Sequence, residues 1–139
     1  MEKANLRSVL KLNVNFHECD PLQIVWHGNY LKYFEECRED FCRNHGISYL
    51  DAIKNGFSTP IVKSNCEQKA SLKYGDQFEI ETTFINSAAA RMTFDYRIFL
   101  SEKLVCTGQT TQVFLNEKGE LQLYNPPFFL DWKQKMELI

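Results

Sequence analysis

Residues 18–40 read ECDPLQIVWHGNYLKYFEECRED, and within them the chain passes from an extended to a helical pattern. From Asn29 onward, Tyr30, Phe34, Cys37, Phe41 and His45 recur at three- and four-residue intervals, and Leu31 and Cys42 widen the stripe. That period marks one apolar face of an α-helix. Asn29 is expected as its N-cap, and Gly46 as the residue that ends it. The other side carries Glu35, Glu36, Glu39, Asp40 and Arg43, with Glu39 and Arg43 ordered for an i,i+4 pair. Ahead of the helix, Pro21 lacks an N–H and restricts Asp20, which predicts a turn over residues 17–23.

Upstream, Leu6, Leu10, Leu12, Val14 and Phe16 alternate with Lys11, Asn13 and Asn15, the pattern of a half-buried strand. Downstream, a short helix is expected at Tyr49–Lys54, ending at Gly56. The remainder reads as strand and turn. Residues 59–72 form a long polar strand with Pro60, Val62, Cys66, Ala70 and Leu72 on one parity, and Tyr74-Gly75-Asp76 makes a turn. Phe78, Ile80, Thr82 and Phe84 form the next alternation, and Met92, Phe94, Tyr96, Ile98 and Leu100 another. Val105, Thr107, Thr111, Val113 and Leu115 make the last, followed by a turn at Lys118-Gly119 and a short segment at Leu121–Tyr124. Pro126-Pro127 stops that segment, and a final helical turn is expected in the tail. The plan is α+β: one long central helix against a five-stranded antiparallel sheet, in a single domain over 1–139. A single helix leaves long sheet edges and aromatic surface uncovered, so a homodimer, or a dimer of dimers, is expected.

Composition narrows the function. The 139 residues are 44% apolar, with only 6 Gly and 4 Pro, as in a globular chain. A net charge of −2 argues against nucleic acid or an anionic membrane as the partner. No run of about 18 apolar residues could span a bilayer. The first sixteen residues lack an apolar core and cleavage site of an export signal, so a cytoplasmic protein is expected. Five cysteines with no C-x-x-C pair read as reduced thiols. Cys37 and Cys42 would lie about 140° apart around the helix, a poor pair for a metal, and no cofactor is expected.

The chemistry lies in the turn. Asp20 precedes the helix start by only seven to nine residues. A helix N-terminus presents unpaired N–H groups and the positive end of a dipole. Aimed at a thioester carbonyl, they stabilise the oxyanion that forms during attack. A nearby carboxylate attacks the carbonyl itself or takes a proton from attacking water. A thiol has a pKa of only about 8.5, so the leaving thiolate needs no strong general acid.

The run of Asp20, Pro21, Ile24-Val25-Trp26-His27, Asn29-Tyr30 and Arg38 resembles the signature of the 4-hydroxybenzoyl-CoA thioesterase family, which includes the acyl-CoA thioesterase of the Tol-Pal cluster. Leu72-Lys73-Tyr74-Gly75-Asp76 is similar to a turn of that family. The resemblance implies a hot-dog fold and hydrolysis of an acyl- or aroyl-CoA, or acyl-carrier-protein, thioester. It implies Asp20 as nucleophile or general base, the backbone N–H of His27 as the carbonyl's donor, and Trp26, Gly28 and Tyr30 as residues lining the substrate. Gln23 departs from the pattern, standing where the family often has Gly. Competing readings are a Cys19 nucleophile with His17 as base, a catalytic Glu35 or Glu36 on the helix, and a non-catalytic acyl-binding protein. A dehydratase would need a His-Phe-Pro entrance, which neither His17-Glu18 nor His27-Gly28 reproduces. Lys69, Lys73, Arg91 and Arg97 are candidates for CoA phosphates, though each reads more readily as an ordinary solvated charge.

Overall fold

The computed structural model describes residues 6–139. The reading of the chain start as lacking an export signal falls partly on residues 1–5, outside the described residues. Strand β1 (Arg7–Asn13) leads through a 3-10 turn (Phe16–Glu18) to helix α1 (Asn29–Asn44) and short helix α2 (Tyr49–Lys54). Strands β2 (Ile61–Gln68), β3 (Gln77–Ile85), β4 (Arg91–Leu100) and β5 (Lys103–Val113) follow, and helix α3 (Pro127–Lys135) closes the chain. The five strands form one antiparallel sheet in the order β1-β3-β4-β5-β2, so β1 and β2 are its edges.

Even-numbered residues of β3 and β4, from Phe78 to Phe84 and Met92 to Ile98, turn to the helix and are buried. Odd-numbered neighbours such as Glu79 and Arg97 face away into water, the division expected of a sheet covered on one side. Helix α1 buries Tyr30, Tyr33, Phe34, Cys37, Phe41 and Cys42 against this surface. Phe34 stacks on Tyr96 at 4.4 Å between ring centroids, and Phe41 meets Phe94 edge-on at 5.5 Å. Such aromatic pairs add roughly 0.5–1.5 kcal/mol each beyond the area they bury.

Five expectations change. Asn29 is the first helical residue, not the cap; Gly28 takes that place, because the Asn29 side chain is drawn to the Glu18 carbonyl at 2.8 Å. Phe16 leaves the β1 alternation at the 3-10 turn and is 76% exposed, its ring edge-on to Tyr74. The long strand of residues 59–72 shortens to β2, with a register shift between Ile61 and Lys63 that leaves Val62 on the surface. The helix-facing row of β5 is Cys106, Gly108, Thr110 and Gln112, continued by Phe114 just beyond the strand, opposite in parity to the β-branched series. An irregularity after Ile98 shifts the β4–β5 register and buries Val105 beside Cys106. The final turn of the tail is a nine-residue helix, whose Phe129 and Trp132 extend the core over Phe84 and Phe114.

Gly108 lies opposite Tyr96, directly under the Phe34 ring. A Cβ there would run into that ring and stand 2.7 Å from the Asn65 carbonyl oxygen. Gly108→Ala is therefore expected to cost about 1–3 kcal/mol, as for overpacking elsewhere. The urea midpoint measures it; an unchanged midpoint would mean that α1 does not press on β5 here.

Candidate active site

The turn between the 3-10 segment and α1 folds back on itself. Asp20 N–H donates to the Ile24 carbonyl at 2.9 Å, Cys19 bridges Val25, and Trp26 N–H donates to the Glu18 carbonyl at 2.9 Å. Val25 N–H reaches the Leu72 carbonyl at 2.8 Å, which fastens this loop to the connection between β2 and β3. At the tip, the Asp20 carbonyl accepts from Gln23 N–H at 2.8 Å and its Oδ1 from Leu22 N–H at 2.9 Å. Gln23 sits at φ 67°, the left-handed region, so the backbone here has the shape that a glycine adopts without strain.

Asp20 is half-buried in a cleft of about 460 Å³ lined by Phe16, Cys19, Pro21, Gln23, Lys73 and Tyr74. At the other end of the loop, the N–H groups of His27 and Gly28 find no acceptor among the described residues. They are the open donors of the α1 start. A Cβ at Gly28 would meet the Trp26 ring and push it aside from its place beside the His27 ring, 4.9 Å away. Trp26 is 49% exposed, whereas the Tyr30 side chain is buried in the core, away from both the Asp20 cleft and the larger cavity described below. A role for Tyr30 toward substrate would have to be indirect.

The competing residues are less well placed. Cys19 Sγ faces the Asn15 carbonyl at 4.0 Å, and His17 makes no bond to it. Glu35 pairs with Arg38 at 3.4 Å, and Glu36 is exposed. Among the strand cations, Lys69 pairs with Glu67 at 3.2 Å and Arg97 with Glu81 at 3.7 Å; Lys73 is the one in the Asp20 cleft. All five cysteines are free thiols, with Cys66 and Cys106 Sγ atoms 3.5 Å apart. Burial pushes the Cys37 thiol up to about 11, which makes it a poor nucleophile. No group of three His, Cys, Asp or Glu among the described residues could hold a metal, and no helix there is long and apolar enough to cross a membrane.

A second cavity, of about 590 Å³, opens between the later turns of α1, α2 and the start of β2. Its walls are apolar at Ile47, Leu50, Ile61 and Met92, with Arg38 and Gln112 as buried polar groups. Arg38 donates to the Tyr96 hydroxyl at 3.2 Å, which in turn shares a 2.6 Å bond with Thr110.

Glu18 is the residue that sequence reasoning passed over. It is 2% exposed. Its carboxylate accepts from Lys32 Nζ at 2.7 Å, Asn15 N–H at 2.8 Å and the Tyr33 hydroxyl at 3.0 Å. Burial alone would raise its pKa; the Lys32 ammonium and the other two donors outweigh that and hold it below the ordinary 4.5. A depressed carboxyl pKa stabilises the fold above the unfolded value, and that contribution is lost as pH falls from 4.5 through the folded value. Stability should therefore decline over this acid window, with a flatter profile for Glu18→Gln. Thermal melting at stepped pH tests it, and identical profiles would contradict the ionised pairing.

Residues 14–133 match the model of the thioesterase-like superfamily. Over 102 residues the chain is 32% identical to an Aquifex aeolicus protein named "Putative esterase", covering 73% of this chain and 80% of that one. Over 89 residues it is 29% identical to a Bacillus subtilis protein named "Putative acyl-CoA thioesterase", covering 64% of each. The crystal structure of a DHNA-CoA thioesterase from Staphylococcus aureus superposes with a TM-score of 0.83 at 25% identity, over 95% of this chain and 91% of that one. Its fold is the hot-dog fold anticipated from the motif, a five-stranded antiparallel sheet around a central helix. The chain belongs to the thioesterase-like superfamily.

Proposed function

We propose that this protein is a thioester hydrolase acting on an acyl- or aroyl-CoA, with Asp20 as nucleophile or general base and the open N–H groups at His27 and Gly28 as the oxyanion site. One observation carries the reading. In a chain of this superfamily, a half-buried carboxylate and two unpaired amides belong to the same hydrogen-bonded loop at the start of α1. The amides receive the negative charge that grows on the carbonyl oxygen. A new C–O bond forms to carbon, from Asp20 or from a water that gives its proton to Asp20, and the C–S bond breaks. The electron pair leaves on sulfur, and the thiolate is then protonated. If Asp20 attacks directly, water hydrolyses the resulting anhydride and restores the carboxylate. Trp26 and Gly28 border the reacting carbonyl in this reading.

The active unit is a homodimer, or a dimer of such dimers. In support, β2 is an edge strand with Ile61 40% and Val62 60% exposed. It runs from the larger cavity at Ile61 toward Leu72–Tyr74, beside Asp20. Antiparallel pairing of two such strands about a two-fold axis would set one subunit's cavity next to its partner's Asp20. Free thiols support a reducing, cytoplasmic setting.

Thiol release from short, long and aromatic acyl-CoAs, and from the same acyl groups on acyl-carrier protein, tests the activity and names the carrier. Asp20→Asn should lower turnover by at least about 10²-fold, the low end for a positioned acid–base group, and leave the protein folded. Cys19→Ser should keep most of the activity. Turnover within threefold of wild type in Asp20→Asn, or an equal loss in Cys19→Ser, would displace Asp20 from the mechanism. Sedimentation on the same samples should show loss of activity as the oligomer is diluted; full activity at the monomer mass of 16.3 kDa would exclude the shared site.

A further inference from the structure

Every hydrogen bond that Asp20 makes stays within residues 20–24. Nothing on Asp20 reaches α1, yet the proposed reaction needs its carboxylate in a fixed place relative to the amides at the helix start. The connection runs through Glu18. Its side chain takes one donor from the start of its own 3-10 turn, at Asn15, and two from α1, at Lys32 and Tyr33. Its peptide carbonyl takes two more, from Trp26 N–H and Asn29 Nδ2. Five donors from three segments thus converge on one residue, two positions before Asp20. The Trp26 bond has a second consequence. It consumes the N–H just ahead of the helix, so that the open amides begin at His27.

We infer that Glu18 is a positioning residue: its buried carboxylate, clamped by Lys32, Tyr33 and Asn15, sets the Asp20 turn in register with the open N–H groups of His27 and Gly28. The inference rests on the proposed hydrolase reading for its catalytic consequence, but the tether itself is independent of it. Glu18 touches neither substrate nor the reacting atoms. A carboxylate here does what an amide does only in part, because Asn15 N–H and Tyr33 need an acceptor whereas Lys32 needs an opposite charge. A neutral replacement leaves the ammonium without its partner.

The full-length protein with Glu18→Gln and Glu18→Ala, beside a core control, Phe129→Leu in α3, separates positioning from general stability. At a temperature where circular dichroism shows all four proteins folded, kcat should fall at least tenfold in Glu18→Ala and less in Glu18→Gln, which keeps two of the three acceptor contacts. KM should stay within twofold, and Phe129→Leu should retain wild-type kcat. Amide hydrogen exchange supplies a readout that needs no turnover. Exchange at Asp20 and Trp26 should quicken at least tenfold in Glu18→Ala while the α3 amides keep their rates. If Glu18→Ala does not fold, Glu18→Gln carries both measurements. A kcat within threefold of wild type in the folded variant, a matching loss in Phe129→Leu, or unchanged exchange at Asp20 and Trp26 would each overturn the inference. Should the wild type hydrolyse no thioester, the function reading fails, and the exchange rates still decide the tether.

Discussion

The contact of Phe34 with the sheet fixes the geometry of everything near α1. The ring lies flat on Tyr96, 8° from parallel, over the one position of β5 that has no side chain. A residue larger than glycine at 108 would lift the helix off the sheet, and with it the helix start that carries the open amides. Close packing makes this a rigid relation, because a core at crystal-like density does not absorb a displaced ring without cost. The aromatic load of the chain goes largely to this purpose. Phe41, Phe84, Phe94, Phe114, Phe129 and Trp132 form a continuous series of ring contacts from α1 through the sheet to α3.

On that platform, polar groups decide what the loop can do. A helix start normally hides its orphan amides behind a capping side chain. Here the cap is Gly28, which has none, and the one amide of Asn29 that could help is turned back to Glu18. The local choice weakens the helix end and leaves the N–H groups of His27 and Gly28 without an acceptor among the described residues. That sacrifice of local stability is the kind expected where a site must bind developing charge. The ion pair of Glu18 and Lys32 is a different matter, for the carboxylate is buried while the Lys32 side chain is 43% exposed. Losing Lys32 would leave a buried carboxylate without its opposite charge, so the value of the pair lies in fixing arrangement more than in net stability.

Much of this was legible in the residues. The three- and four-residue spacing from Tyr30 to His45 located α1, and Gly46, at φ 73°, ends it as a left-handed residue should. Ser48 and Asp51 form the capping box that starts α2 at Tyr49, within the range read from sequence. The alternations of β3 and β4 gave their inward rows directly. In β5 the rule failed, because the inward row contains Gly108, Thr110 and Gln112 while the outward row holds Val113 and Thr111. Buried polar groups with partners, Thr110 with Tyr96 and Gln112 with the Thr59 carbonyl, reversed the apparent pattern. Glu18 could not be read at all. Its partners Lys32 and Tyr33 lie fourteen and fifteen residues away, across a turn whose path the sequence does not specify. As a candidate, Asp20 stands out only through the motif around it, since Asp before Pro is an ordinary turn signal.

The central claim is that the Asp20 loop and the α1 start act on one carbonyl. The crystal structure of Asp20→Asn soaked with a slowly hydrolysed aroyl-CoA tests it most directly. The account predicts the thioester oxygen within about 2.7–3.1 Å of the His27 N–H, with the side chain at position 20 facing the carbonyl carbon. A thioester bound with its oxygen turned from the helix start, or seated away from residue 20, would contradict it.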